Sequence, residues 1–314
     1  MRWVDGLLTF CASLLVVVNL LPLGARLSWV IDLTAHFRVQ YLAVTVVLLA
    51  LLALRRRWRA SIVLAAAGAV SAVPVAPYLP LVPSSAPVDV EAPLKVVSVN
   101  VSYRPFSPRG LLEIIRDLDP DVVVAQELTS YAAEVLAPLD EAFPHHFKMP
   151  AEGPYGIALW SRLPLESAVP FALGRLPAIE ARVRSAHGTF TLLGVHLNAP
   201  TTPRRAAARN EELRQLAERS AAIDGPLVVA GDFNLTPYSP LFADWLAASG
   251  LTDTRRGRTP SVSWPAVLPI LGIPIDHVAV SPEFAILAHR RLPNFGSDHY
   301  GVLAELALRG AETP

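Results

Sequence analysis

Apolar positions are distributed in two different ways along this chain. Three nearly unbroken apolar runs, Leu7 to Leu23, Val39 to Leu54 and Ala60 to about Leu81, fill its first part, whereas beyond Asp89 apolar residues come in short runs separated by charge. Each long run is near the roughly 17 to 25 residues that a bilayer-spanning helix requires. The middle run is slightly short, and Arg38 and Arg55 at its ends can snorkel. The remaining charges of this part fall in the gaps or at the start: Arg2, Asp5, Arg26, Asp32, Arg56, Arg57 and Arg59. Residues 1–81 are therefore predicted to be a membrane anchor of three transmembrane helices, a buried soluble bundle being the duller alternative. Arginines in short loops stay in the cytoplasm, so the Arg-rich second gap is placed inside and residues 82–314 outside. Removal of the first run as a signal peptide near Ala25 would leave that orientation unchanged.

Residues 82–93 read as a Pro-rich, semi-extended linker that would let a folded domain, residues 94–309, float within roughly 40 Å of the membrane. In that domain "LKVVSVNV", "DVVVAQE", "YGIALWS", "PLVVAGDFN", "IDHVAVS" and "GVLAELAL" have the apolar runs of buried strands. "IEARVRSAHGTFTLLGVHL" reads as a hairpin turning at His187 and Gly188. Helices are predicted from Ser107 as N-cap with Pro108 at the first position, from Tyr131 to Phe143, from Pro203 to Ala222 and from Pro240 to Ala248. Strands mixed with helices but joined by hairpins predict an α/β (α+β) sandwich of two packed β-sheets covered by helices.

Composition sharpens this picture. The chain of 314 residues is 52% apolar, an excess carried by its first part. Cys11 is the single cysteine and lies in the first apolar run, so the outer domain has neither a disulfide nor thiol chemistry.

Polar residues recur where strands end: Asn100, Glu127, His196, Asn198, Asp232, Asn234, Asp276, His277, Asp298 and His299. Strand ends are where such sheets assemble sites from segments distant in sequence. Carboxylates gathered at the rim of a core need a cation or protons. Hard oxygen donors without thiolate suit Mg²⁺, with Mn²⁺ as the substitute.

Taken in order, "SVN", "QE", "GVHLN", "GDFN", "IDH" and "GSDH" over residues 94–307 resemble the endonuclease/exonuclease/phosphatase superfamily, whose fold is that of DNase I-like nucleases. The resemblance implies a four-layer sandwich with two mixed sheets and a metal-dependent phosphohydrolase. It implies that Glu127 is the principal metal carboxylate, with Asn100 beside it and Asp298 as the second acidic contact. It makes Asp232 the residue that orients the attacking water, with either Asp232 or His299 as the base, Asn234 a donor to the phosphoryl oxygen and His196 a phosphate contact. His299 abuts the scissile phosphate and is oriented by Asp276, while Ser161 and Arg162 match a pair that stabilises the fold. His277 stands where the family often has an aromatic and is expected to be structural, as are His145 and His146.

For the substrate, Asn198, Arg204 and Arg209 are candidates to meet its charge. From Glu91 onward 20 basic residues face 24 acidic ones, a net of −4, which disfavours nucleic acid. Two basic clusters, Arg204 with Arg205 and Arg209, and Arg255 with Arg256 and Arg258, would serve a short anionic headgroup. "WPAVLPILGIPIDH", uncharged from Trp264 to Ile275, is expected either to pack on the core or to form an apolar lip beside the site. Tethering, orientation and this lip point to a lipid-linked or cell-envelope phosphate. The arrangement is similar to membrane-anchored extracytoplasmic family members linked to teicoplanin resistance. No protein partner is legible. The rivals are an extracytoplasmic nuclease and, in another class, a non-catalytic membrane-tethered binding module.

Overall fold

The computed structural model describes residues 2–80, 93–104, 106–258 and 261–309, so nearly all of the predicted linker lies outside the described residues. The N-terminal part forms helices α1 (Arg2–Leu20), α2 (Trp29–Ala35), α3 (Arg38–Leu54) and α4 (Trp58–Ala72). α1, α3 and α4 fall on the three apolar runs and meet through Ala12, Leu15, Leu48, Leu52 and Leu64. Among the described residues one helix, Trp3–Gly24 with its terminal turn, is by itself long and apolar enough to cross a membrane; α2 and α3, bent by 58°, pass only as a pair, and α4 is shorter. α2 has no counterpart in the sequence prediction, because Asp32 and Thr34 interrupt its apolar pattern.

The body of the protein runs β1 (Leu94–Asn100), α5 (Arg109–Leu118), β2 (Val122–Gln126), α6 (Ser130–Val135), α7 (Pro138–Ala142), β3 (His145–Met149), β4 (Ile157–Ser161), β5 (Leu165–Leu173), β6 (Leu176–Ser185), β7 (Gly188–His196), α8 (Pro203–Ala221), β8 (Leu227–Asp232), α9 (Pro240–Ser249), β9 (Thr252–Asp253), β10 (Asp276–Val280), β11 (Phe284–Arg291) and β12 (Val302–Leu308). Two six-stranded sheets result, ordered β11-β12-β1-β2-β4-β3 and β5-β6-β7-β8-β10-β9. Each is mixed: β1 and β2 are parallel in one, β7 and β8 in the other, and the remaining named pairs are antiparallel.

Period-2 alternation assigns the faces. Val96, Val122, Val124, Leu192, Val228, Ala230, Val278 and Val280 meet between the sheets. Val97, Val99, Val123 and Ala125 turn instead toward Leu111 and Ile115 of α5. Leu193, Val195 and Val229 pack on Leu213 and Leu216 of α8 and on Phe242 and Trp245 of α9. The layers are therefore helix, sheet, sheet, helix.

Several local predictions are corrected. α5 starts at Arg109 with Pro108 as an N-cap lacking a side-chain hydrogen bond, so Ser107 is not its cap. The helix expected from Tyr131 to Phe143 is two short ones, the second opening at Pro138, whose ring cannot continue a helix from within. β3, β5, β9 and β11 escaped prediction, and they are the four sheet edges. Edge strands are half solvated and tolerate polar residues and proline, such as Pro170 in β5, so they lack the apolar signature of central strands.

The domain does not float on its linker. Arg26 pairs with Asp244 at 2.7 Å, Asp32 with Arg209 at 2.7 Å, Gln40 donates to the Gly272 carbonyl at 2.7 Å, and Tyr78 meets Tyr238 edge to face at 5.9 Å. The N-terminal helices are docked on the body.

Gly231 lets β7 and β8 come together beneath the site, since a Cβ there would lie 1.9 Å from the Val195 carbonyl oxygen. Gly231→Ala is expected to destabilise the protein by about 3 kcal/mol or more, read as a lowered thermal midpoint.

Candidate active site

The alternation that fills the core also delivers the site. Asn100 continues the inward face of Val96 and Ser98 on β1, and Asp232 that of Val228 and Ala230 on β8. Asp276 opens β10 on the face of Val278 and Val280, and His196 ends β7 on the face of Leu192. The registers set Asp232 opposite both Asp276 and His196. Four side chains from four strands thus meet between the sheets at one end of the inter-sheet core. Glu127 follows β2 directly, and its left-handed backbone (φ 60°) departs from the strand geometry of the residues before it. Asp298 and His299 arrive on the loop before β12, where Ser297 donates to the Asn100 carbonyl at 2.7 Å and accepts from the His299 amide at 3.1 Å.

The contacts are close. Asn100 Nδ2 donates to Asp232 Oδ2 at 3.0 Å, and the Asn234 amide donates to Asp232 Oδ1 at 2.8 Å. His299 Nδ1 lies 3.0 Å from Asp276 Oδ2, and its Nε2 faces Asp232 Oδ2 at 3.9 Å. His196 turns Nδ1 to the Pro154 carbonyl at 3.1 Å, which requires that nitrogen to carry the proton and leaves Nε2 toward Glu127 at 3.7 Å and Asp232 at 3.8 Å. Glu127 Oε2 accepts from the Tyr103 amide at 2.8 Å. The side chains of Asn100, Glu127, His196, Asp232, Asn234, Asp276, Asp298 and His299 therefore converge on one cleft of about 630 Å³, most of them lining it.

Burial gives these groups their electrostatics. Desolvation, reinforced by the neighbouring Asp276 carboxylate, raises Asp232 to about 6 against the pull of His299 and His196. Burial is the largest single influence on the His299 imidazolium and would lower it, but Asp276, Asp232 and Asp298 together lift His299 to about 9. Near neutral pH the pair is an ionised Asp232 and a protonated His299.

The donors fit a hard divalent cation. Glu127, Asp232, Asp276 and Asp298 contribute carboxylate oxygens, one of which, Asp276 Oδ1, is buried without a hydrogen-bond partner. Ligand atoms of Asp232, Asp276 and His299 lie within 4.8 Å of one another. In that trio, however, Asp276 and His299 are already bonded to each other, the arrangement of a proton relay. Glu127 and Asp298, only slightly exposed at the cleft wall, are better placed to reach an ion there.

The substrate-binding expectations need revision. Arg209 is buried and its Nη2 is spent on Asp32, so it cannot reach a ligand. Arg204 is exposed but stands outside the cleft, where Arg205 takes its place, and Asn198 lines the wall with its amide nitrogen committed to Glu212 at 2.5 Å. Arg255 is likewise fully buried, so the second basic cluster is not a surface patch; its Nη2 donates to the Asp276 carbonyl at 2.7 Å. His277 points to the helix side of β10, bonded to the Leu235 carbonyl at 2.9 Å and packed on Phe233 and Phe242. Arg162 donates to the Pro120 carbonyl and holds a loop. Sequence reasoning missed Arg104, which reaches Asp298 at 3.9 Å, and Trp29, Leu33 and His36 of the N-terminal part, all on the cleft wall. Arg104 follows Asn100 by four residues, a usable signal; the other three carry none.

The Endonuclease/Exonuclease/phosphatase family model matches residues 97–299. Among the solved structures that share the fold are three from different sources. An endonuclease/exonuclease/phosphatase from Beutenbergia cavernae is 24% identical, covering 71% of this chain and 73% of its own, with a TM-score of 0.55. TDP2 of D. rerio complexed with a single-strand DNA product is 16% identical over 69% of this chain and 100% of its own, with a TM-score of 0.60. The 3′ phosphatase NExo from Neisseria bound to a product DNA hairpin is 20% identical over 68% and 99%, with a TM-score of 0.55. No curated protein sequence matches the chain.

A reaction that needs Asp232 ionised and His299 protonated rises with pH through about 6 and falls above about 9. Asp276 raises both groups, so in Asp276→Asn both limbs of the pH–rate profile are expected to move to lower pH. A basic limb that stays in place would show that Asp276 does not set the His299 proton.

Proposed function

The chain belongs to the endonuclease/exonuclease/phosphatase family, and from that premise we propose a membrane-anchored, metal-dependent phosphoesterase acting outside the cytoplasmic membrane on a lipid-linked or cell-envelope phosphate. Residues 1–81 are its anchor, 82–93 its linker and 94–309 its catalytic domain. The observation that carries the hydrolase reading is the convergence of Asn100, Glu127, His196, Asp232, Asn234, Asp276, Asp298 and His299 on one cleft.

Glu127 and Asp298, with Asn100 beside them, would hold Mg²⁺ or Mn²⁺, which when bound supplies a Lewis acid for a phosphoryl oxygen. Asp232, kept ionised and fixed by Asn100 and Asn234, orients a water and accepts its proton. His299, kept cationic by Asp276, faces the developing negative charge through Nε2. Asn234 Nδ2 donates to the Leu197 carbonyl at 2.9 Å and more weakly to Asp232 at 3.4 Å, and the weaker bond is the one a phosphoryl oxygen would replace.

The lipid reading is supported by the apolar α1 and by the lip. The base of the lip is packed: Ile273 pairs with Trp264 and is buried. Its tip is not, with Val267 75%, Leu268 47%, Ile270 79% and Leu271 53% exposed beside α3, which holds the Gly272 carbonyl through Gln40. An exposed apolar patch of this kind next to an apolar helix suits a bilayer surface.

A second reading, a nuclease, is favoured by the DNA held in two of the similar structures, against the acidic balance of the domain. Purified full-length protein in detergent, given Mg²⁺ and a panel of lipid phosphates, phospholipids and nucleic acids, separates the two. EDTA, Glu127→Ala and Asp232→Asn are each expected to reduce hydrolysis by at least about a hundredfold; hydrolysis that survives them would sink the metal phosphoesterase. Leu268, Ile270 and Leu271 changed to serine should depress turnover of a lipid phosphate while sparing a soluble phosphodiester. Equal loss on both would refute the lip.

A further inference from the structure

Helix α2, packed on the terminal turn of α1, also meets the catalytic domain at α8. Asp32, on its buried side, accepts from Arg209 Nη2 at 2.7 Å and from the Ser239 hydroxyl at 2.6 Å. Both charged side chains are at most 1% exposed. A buried ion pair of this kind is costly unless its remaining donors are used. They are used, one of them on the site: Arg209 Nη1 donates to the Asn234 carbonyl at 3.2 Å, and Nε to the side chain of its neighbour Asn210 at 2.8 Å. Asn234 has a left-handed backbone (φ 49°), a conformation that persists only where its surroundings over-determine it. Ser239 closes the same loop, capping α9 through the Leu241 amide. One carboxylate of the N-terminal part thus grips both ends of the segment that carries Asn234, while Trp29, Leu33 and His36 beside it form part of the cleft wall.

We propose that the N-terminal part completes the active site: Asp32 is a positioning residue that, through Arg209 and Ser239, holds the Asn234 loop in its strained, productive geometry. The anchor is then a component of the catalytic unit and not a tether alone. This inference rests on the phosphoesterase reading only for what Asn234 does once positioned.

The test uses the full-length protein in detergent with bis(p-nitrophenyl) phosphate and Mg²⁺. Asp32→Asn is expected to lower kcat about tenfold to a hundredfold with KM within about twofold, the loss typical of a misplaced catalytic group. Asp32→Glu, which keeps the charge, should recover much of it. In the Asn234→Ala background Asp32→Asn should change kcat by less than about twofold, because both act through one residue. The same fractional loss in both backgrounds, or an unchanged kcat in Asp32→Asn, would overturn the proposal. Amide hydrogen exchange reads the positioning without turnover: peptides covering 233–240 should exchange faster in Asp32→Asn while those covering β1 do not. A wild type that hydrolyses nothing, with this local loosening present in Asp32→Asn, would refute the phosphoesterase reading and support the positioning. Unchanged exchange in an active enzyme would do the reverse.

Discussion

Two carboxylates, Asp232 and Asp276, face each other from paired strands with almost no access to water. Everything around them follows from the need to keep charge in such a place. A buried carboxylate without compensation would take up a proton and lose its chemical use. Here Asn100, the Asn234 amide and the His299 imidazolium provide that compensation. None of these partners is near Asp232 in sequence except Asn234. The apolar core between the sheets fixes the two strands at a separation where the partners reach.

The site is held from behind as firmly as from within. Two buried arginines, Arg255 and Arg209, donate to the backbone carbonyls of Asp276 and Asn234. Ser102, Glu127 and Asn234 all have left-handed backbones, and all three border the cleft. Strain at these positions, locked at Asn234 by a buried arginine, is what preorganisation requires, since donors that are already aimed need no rearrangement when charge develops. Arg255 is locked by Asp253 and His277 from within the domain, whereas Arg209 is locked by Asp32 from the N-terminal part. That difference ties the N-terminal helices to the cleft.

Much of this was legible in the chain. The central strands announced themselves as apolar runs because both of their faces are buried, and their polar last residues marked the site. Parity along each strand even separates Asp276, on the inter-sheet face, from His277, on the helix face. The edge strands were not legible, since solvent on one side removes the pattern. Arg204, Arg205 and Arg209 looked alike in sequence, being neighbours on one helix, but burial put Arg209 behind the site and left Arg204 off it. No local signal distinguishes them.

The chain by itself determined the two sheets, the apolar N-terminal helices and which residues end the central strands, because hydrophobic periodicity and strand parity are local properties. Only the tertiary structure decided that Asp32 and Arg209 form a pair, that α2 walls the cleft, that burial raises Asp232 and that neighbouring carboxylates raise His299. Those features depend on desolvation and on distances between segments far apart in sequence, and neither is encoded at any single position.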